Sequence, residues 1–284
     1  MQELSSSGSA ARAKAIYDYG HTAIFASQAD PRFHMLLYVP PAAAEGKKVD
    51  LLVAVHGTGR TSAIEFRDGF AEFGLYNDCA ILCPIFPMNA RGDGARSGYK
   101  YILEGDIRYD QILLSMVTEM AKKYDQDWSK FAMFGFSGGG HFTHRFTLLH
   151  PQNLWASCIG APGSVTLLDT ERNWWVGVKD IKEKFGISLD IPALQKVPVQ
   201  MVVGSADLEN WEIMHAPGSQ YYMEGANDAG NTRPERLKAL ARSFENAGIT
   251  VTLNEVPGVS HDRMKVLDTV KAFLTRTLKE IRQQ

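Results

Sequence analysis

The chain has 284 residues, 45% of them hydrophobic, which suffices for one large α/β domain or two small ones with a sizeable core. With 30 basic against 32 acidic residues the net charge is −2, so no long-range field gathers phosphate backbones, and nucleic acid is excluded as an expected partner. No segment is long and apolar enough to cross a bilayer, and no membrane association is expected.

Residues 1–14 are polar and Ser/Ala-rich and lack the apolar centre of a secretory signal, which predicts a disordered leader ahead of one domain over 15–284. Eight apolar runs follow, at 23–26, 33–39, 51–55, 80–86, 131–136, 154–159, 197–203 and 250–256. The first two flank a turn-like stretch at 28–32 and predict an antiparallel hairpin. The others alternate with helical patterns, which predicts an α/β fold with a mostly parallel eight-stranded sheet and helices on both faces. Cys79 and Cys83 fall in what reads as one strand, about 13 Å apart and beyond disulfide reach; Cys83 and Cys158 read as small buried core residues, and this usage fits a reducing, cytoplasmic setting.

Between the runs, Tyr109, Leu113, Met116, Val117 and Met120 mark an amphipathic helix with Asp106 as its N-cap. Thr232 and Glu235 form a capping box ahead of Leu237, Leu240, Ala241 and Phe244, with Gly248 as the stop. Leu267, Val270, Leu274 and Leu278 define a last helix. Two insertions, 163–196 after the sixth strand and 208–231 after the seventh, follow strand carboxyl ends, where open parallel sheets bind ligands; they predict a small lid.

Chemistry concentrates at four strand ends. Gly135-Phe-Ser137-Gly-Gly139 joins a strand to a helix, and a tight turn with glycines on both sides pushes a serine hydroxyl out above the sheet. A serine needs a base to take its proton, and His261 follows the last strand. The imidazolium then needs a carboxylate on its other nitrogen; Asp207 ends the loop after the seventh strand, with Glu209 and Glu212 as fallbacks. In His56-Gly57-Thr58-Gly59 the expected role of His56 is to brace the loop, while the N–H groups of Thr58 and Gly138 are the expected donors to a developing oxyanion. Taken singly, each has an ordinary alternative as a turn, a cap or a surface side chain.

These residues, in the order serine, acid, histidine, resemble the α/β-hydrolase superfamily over about residues 20–283, and within it most resemble the esterase, feruloyl esterase and polyhydroxyalkanoate-depolymerase-like branch. The resemblance implies the α/β-hydrolase fold and a serine hydrolase that cleaves a carboxylic ester, lactone or thioester through an acyl-serine, without metal or cofactor. Asn89-Ala-Arg91-Gly-Asp-Gly94 is weakly similar to a loop of prolyl-oligopeptidase-type peptidases, but there is no room for their propeller. A peptidase or amidase on the same triad, and a non-hydrolytic receptor or lyase of the fold, stand as alternatives.

Arg91, Arg96 and Lys100 are candidates to meet a substrate carboxylate, against the alternative of solvated loop charges. Trp174, Trp175, Trp211, Tyr221, Tyr222 and Met223 are candidates to line an apolar pocket for a small ester-like molecule, against packing within their own insertions. His141 and His144 share a helical face, but no third ligand is evident for a metal. A homo-oligomer is left open.

Overall fold

The structure, a computed structural model, describes residues 12–14 and 16–283. The leader expected over 1–14 lies outside the described residues except for 12–14, which have helical backbone. The main sheet comprises β1 (Gly20–His21), β2 (Phe25–Ala26), β3 (His34–Val39), β4 (Asp50–Val55), β5 (Cys79–Ile85), β6 (Phe131–Phe136), β7 (Leu154–Gly160), β8 (Val199–Gly204) and β9 (Val251–Val256). Its order is β1-β3-β5-β4-β6-β7-β8-β9, with β2 also pairing β3. β3 runs antiparallel to its neighbours, and β5, β4, β6, β7, β8 and β9 are mutually parallel.

The sheet has eight positions across, but the first is filled by two short pieces: the run 23–26 yields only β2, and β1 lies ahead of it, outside any expected run. Thr22 makes the break: its hydroxyl accepts the Leu37 N–H at 3.0 Å, where a continuous strand would offer a carbonyl. β6 and β7 are buried along their whole length, and since alternate side chains point to opposite faces, both faces are covered. β9, at the edge, alternates between half-buried and exposed positions.

The long helices are α1 (Ser62–Tyr76), α2 (Tyr109–Tyr124), α3 (Gly138–Leu149), α4 (Arg233–Asn246) and α5 (Leu267–Ile281). α1 packs beside α5, α3 lies on β6 and β7, and α4 lies on β8 and β9. α4 starts as its capping pattern predicts, with the Glu235 N–H donating to the Thr232 hydroxyl, although the Glu235 carboxylate reaches back to the Asn231 N–H rather than to that of Thr232. Asp106 is not the cap of α2. It lies in the turn of a small hairpin, Leu103–Glu104 with Ile107–Arg108, and α2 begins at Tyr109 without a side-chain cap. The first turn is anchored instead by Asp110, whose buried carboxylate accepts from Arg108 and pairs with His150 at 2.7 Å; burial opposes its charge, yet these bonds hold its pKa at about 2.

Candidate active site

Ser137 sits between β6 and α3 with φ 57° and ψ −117°, a left-side conformation costing a non-glycine residue roughly 1–3 kcal/mol. Neighbouring backbone enforces it. The Ser137 N–H donates to Gly160 at 2.9 Å, and the Ser137 carbonyl accepts from His141 at 3.0 Å. A Cβ at Gly135 would collide with the Gly139 carbonyl, and one at Gly139 with that of Val55, so both motif positions are restricted to glycine by close approach.

The loops after β8 and β9 are laced together. Ser205 N–H donates to Val256, Ala206 N–H to Val259 and Gly258 N–H to the Ser205 hydroxyl, each at 2.9 Å. This brings His261 Nδ1 to 2.6 Å from Asp207 Oδ2. Asp207 is fully buried, and the imidazole lies on the Phe136 ring at 4.9 Å. With Nδ1–H donating to the carboxylate, Nε2 is left as the acceptor. His261 and Ser137 line one cleft of about 190 Å³. Ser137 Oγ itself forms no hydrogen bond among the described residues.

Asp207 has a second partner that sequence reasoning missed. The buried Arg233 donates to Asp207 Oδ1 at 3.1 Å, to Glu212 at 3.2 Å and to the Glu209 carbonyl at 3.3 Å. Of the two fallback acids, Glu209 accepts from Trp211 and Glu212 pairs with Arg233; neither bonds to His261.

The loop after β4 is held from both ends of an imidazole. His56 is fully buried, its Nε2 accepting from the Phe86 N–H at 2.9 Å and its Nδ1 bonding the Gly57 carbonyl at 2.8 Å. Burial, aided by the Arg60 charge, pushes its pKa down to about 3, so it stays neutral and structural. Arg60 Nη1 donates to the Thr58 carbonyl at 2.5 Å, while Nε binds Phe86 and Nη2 binds Arg96. A Cβ built on Gly138 would lie 3.0 Å from Thr58 N, so these two residues adjoin beside Ser137.

A second cavity, of about 320 Å³, is also lined by Ser137, and His261 is not among its walls. Arg96, Lys100, His141, Glu212 and Tyr221 are among its walls. Behind it the buried Arg145 donates to the Lys100 carbonyl, to Thr166 and to Ser164, with Tyr101 and Trp175 against its guanidinium. His141 and His144 are committed to the backbone, their Nε2 atoms accepting from Gly163 and Thr166, and burial drives both pKa values well below the ordinary 6.5.

Of the nine side chains named as candidates to meet substrate, the cavity takes in Arg96, Lys100 and Tyr221. Trp174 and Trp175 are buried behind it, donating to the Tyr101 and Tyr221 carbonyls. Trp211 is 76% exposed, and Arg91 is a surface residue 3.5 Å from Asp93. The insertion 208–231 supplies much of one wall, whereas 163–196 contributes Gly163 and otherwise packs beneath. Among the described residues no helix is long and apolar enough to cross a membrane.

No protein-family model matches the chain, and no curated protein matches its sequence. Solved structures do match. A poly(aspartic acid) hydrolase-1 from Sphingomonas sp. KT-1 superposes with a TM-score of 0.68 at 19% identity, over 84% of this chain and 92% of that one. LpqC, a poly(3-hydroxybutyrate) depolymerase from Bordetella parapertussis, gives 0.67 at 19% identity, over 84% and 82%. A ferulic acid esterase gives 0.60 at 14% identity, over 90% and 96%. At such identities the likeness is one of architecture. Strand order, the sharp turn at Ser137 and these superpositions together give the chain the α/β-hydrolase fold.

Proposed function

We propose that the protein is a serine hydrolase that cleaves a carboxylic ester, or a related lactone or thioester, through an acyl-Ser137 intermediate. The observation that carries the reading is the 2.6 Å bond from His261 to the buried Asp207, in a cleft that His261 shares with the constrained Ser137. His261 Nε2 takes the Ser137 proton as Oγ attacks the carbonyl carbon, which requires the two atoms to close to about 3 Å. The oxyanion is met by the N–H groups of Thr58 and Gly138, each worth about 3 kcal/mol. His261 then hands its proton to the leaving oxygen, and a water activated in the same way releases the acid.

The similarity to a poly(3-hydroxybutyrate) depolymerase and a ferulic acid esterase supports the ester reading. That to a poly(aspartic acid) hydrolase keeps amide cleavage on the same triad as a second reading. A fluorophosphonate probe should label the protein at Ser137, and p-nitrophenyl esters should turn over faster than amino-acid anilides. Ser137→Ala is expected to lower kcat by about 10⁴ to 10⁶; undiminished turnover would end the assignment. Absence of labelling would favour a receptor or lyase.

A further inference from the structure

Two cavities meet at Ser137, and they differ in what faces them. His261 lines the smaller, of about 190 Å³, and is absent from the walls of the larger, of about 320 Å³. In the proposed reaction the leaving oxygen takes its proton from His261, so the alcohol portion belongs on that side and the acyl portion in the larger cavity.

The larger cavity has an excess of positive charge. Arg96, Lys100 and Arg233 line it against the single carboxylate of Glu212. Arg233 is engaged by Asp207 at 3.1 Å and Glu212 at 3.2 Å. Lys100 Nζ and the Arg96 guanidinium, by contrast, have no hydrogen-bond or ion-pair partner among the described residues. Lys100 is fixed at its backbone, where Arg145 donates to its carbonyl at 2.6 Å, and a Cβ on Gly138 would lie 3.0 Å from Lys100 Cε. The lysine chain therefore runs alongside Gly138, the first residue of α3, where the helix terminus adds its own positive end.

We propose that the larger cavity is a carboxylate subsite in which Lys100 and Arg96 hold an acid group at the far end of a short acyl chain, making the substrate a half-ester of a short dicarboxylic acid. The assignment of the anion to the acyl portion rests on the serine-hydrolase reading; the anion site itself does not. A volume of about 320 Å³ is small for a ligand site, which suits a short chain. Burial, reinforced by Arg60, Arg96 and Arg145 and opposed by Glu212, lowers the Lys100 pKa to about 8, so the ammonium is held at a cost that an arriving anion offsets.

The test titrates Ser137→Ala calorimetrically at neutral pH with monomethyl glutarate and with its uncharged counterpart, dimethyl glutarate. The monoanion should bind at least about tenfold more tightly, the margin of a charge-assisted contact. Adding Lys100→Met should remove most of that margin, adding Lys100→Arg should keep much of it, and adding Arg96→Glu, at an exposed position, should also reduce it. Equal affinity for the two ligands, or a margin that survives both Lys100→Met and Arg96→Glu, overturns the subsite. Fluorophosphonate labelling of the unsubstituted protein separates the two readings. Labelling without anion preference removes the subsite alone, whereas anion preference without labelling keeps the subsite and removes the serine chemistry.

Discussion

At Arg233 one guanidinium spans the acid that faces His261 and the Glu212 at the cavity wall. Replacing it by methionine leaves the buried Asp207 with His261 as its sole side-chain partner, and removing one member of a buried pair costs roughly 3–5 kcal/mol. Arg233→Met is thus expected to lower stability by that amount in denaturant titrations. Because Arg233 positions Asp207, kcat should fall more than KM rises; a purely structural role would lower stability and leave kcat of the folded protein in place. Arg233→Lys should recover part of both. The placement of Ser137, Asp207 and His261 at strand carboxyl ends was legible because they follow the apolar runs 131–136, 197–203 and 250–256 within five residues, where a parallel sheet exposes its loops. Arg233 was not, since an arginine in the first turn of a capped helix has the pattern of a solvated charge.

Among the elements, the turn between β6 and α3 depends most on its sequence. A methyl group at Gly139 would strike the Val55 carbonyl, so Gly139→Ala must open the turn. The expected outcome is a loss of about 1–3 kcal/mol together with near-complete loss of probe labelling; a fully labelled, equally stable variant would show that the close approach is unimportant. The central strands could be read from continuous apolar runs because burial on both faces leaves no polar alternation. The start of α2 could not, because it is set by the ion-paired Asp110, whose partner His150 lies 40 positions away. Aromatic residues in the insertions were equally ambiguous: Trp175 and Tyr221 have the same kind of sequence surroundings, yet one is buried behind the wall and the other forms it. Which of them faces the cavity depends on irregular backbone, where no periodicity assigns a face.

Taken as a whole, the molecule buries His56, His141 and His144 in neutral form, their pKa values lowered by desolvation in each case. The unfolded chain protonates them near 6.5, so below that value it binds more protons than the folded state. Stability is therefore fully present above about pH 6.5 and falls as the pH drops towards the folded values, by about 1.4 kcal/mol per pH unit for each imidazole. Denaturant midpoints at pH 7.5 and pH 5 should differ accordingly, and His144→Gln should flatten the slope by one proton. Identical midpoints would mean that the imidazoles are not held neutral.

The interruption at Thr22 also bears on how copies of this chain meet. A sheet margin recruits another polypeptide through an unbroken row of free amides and carbonyls, and the side bounded by β1 and β2 offers only two-residue pieces. The opposite margin, β9, runs straight for six residues. Among the described residues, the flank that offers a continuous row for edge-to-edge pairing is therefore β9, and pairing through one flank of each copy closes at two.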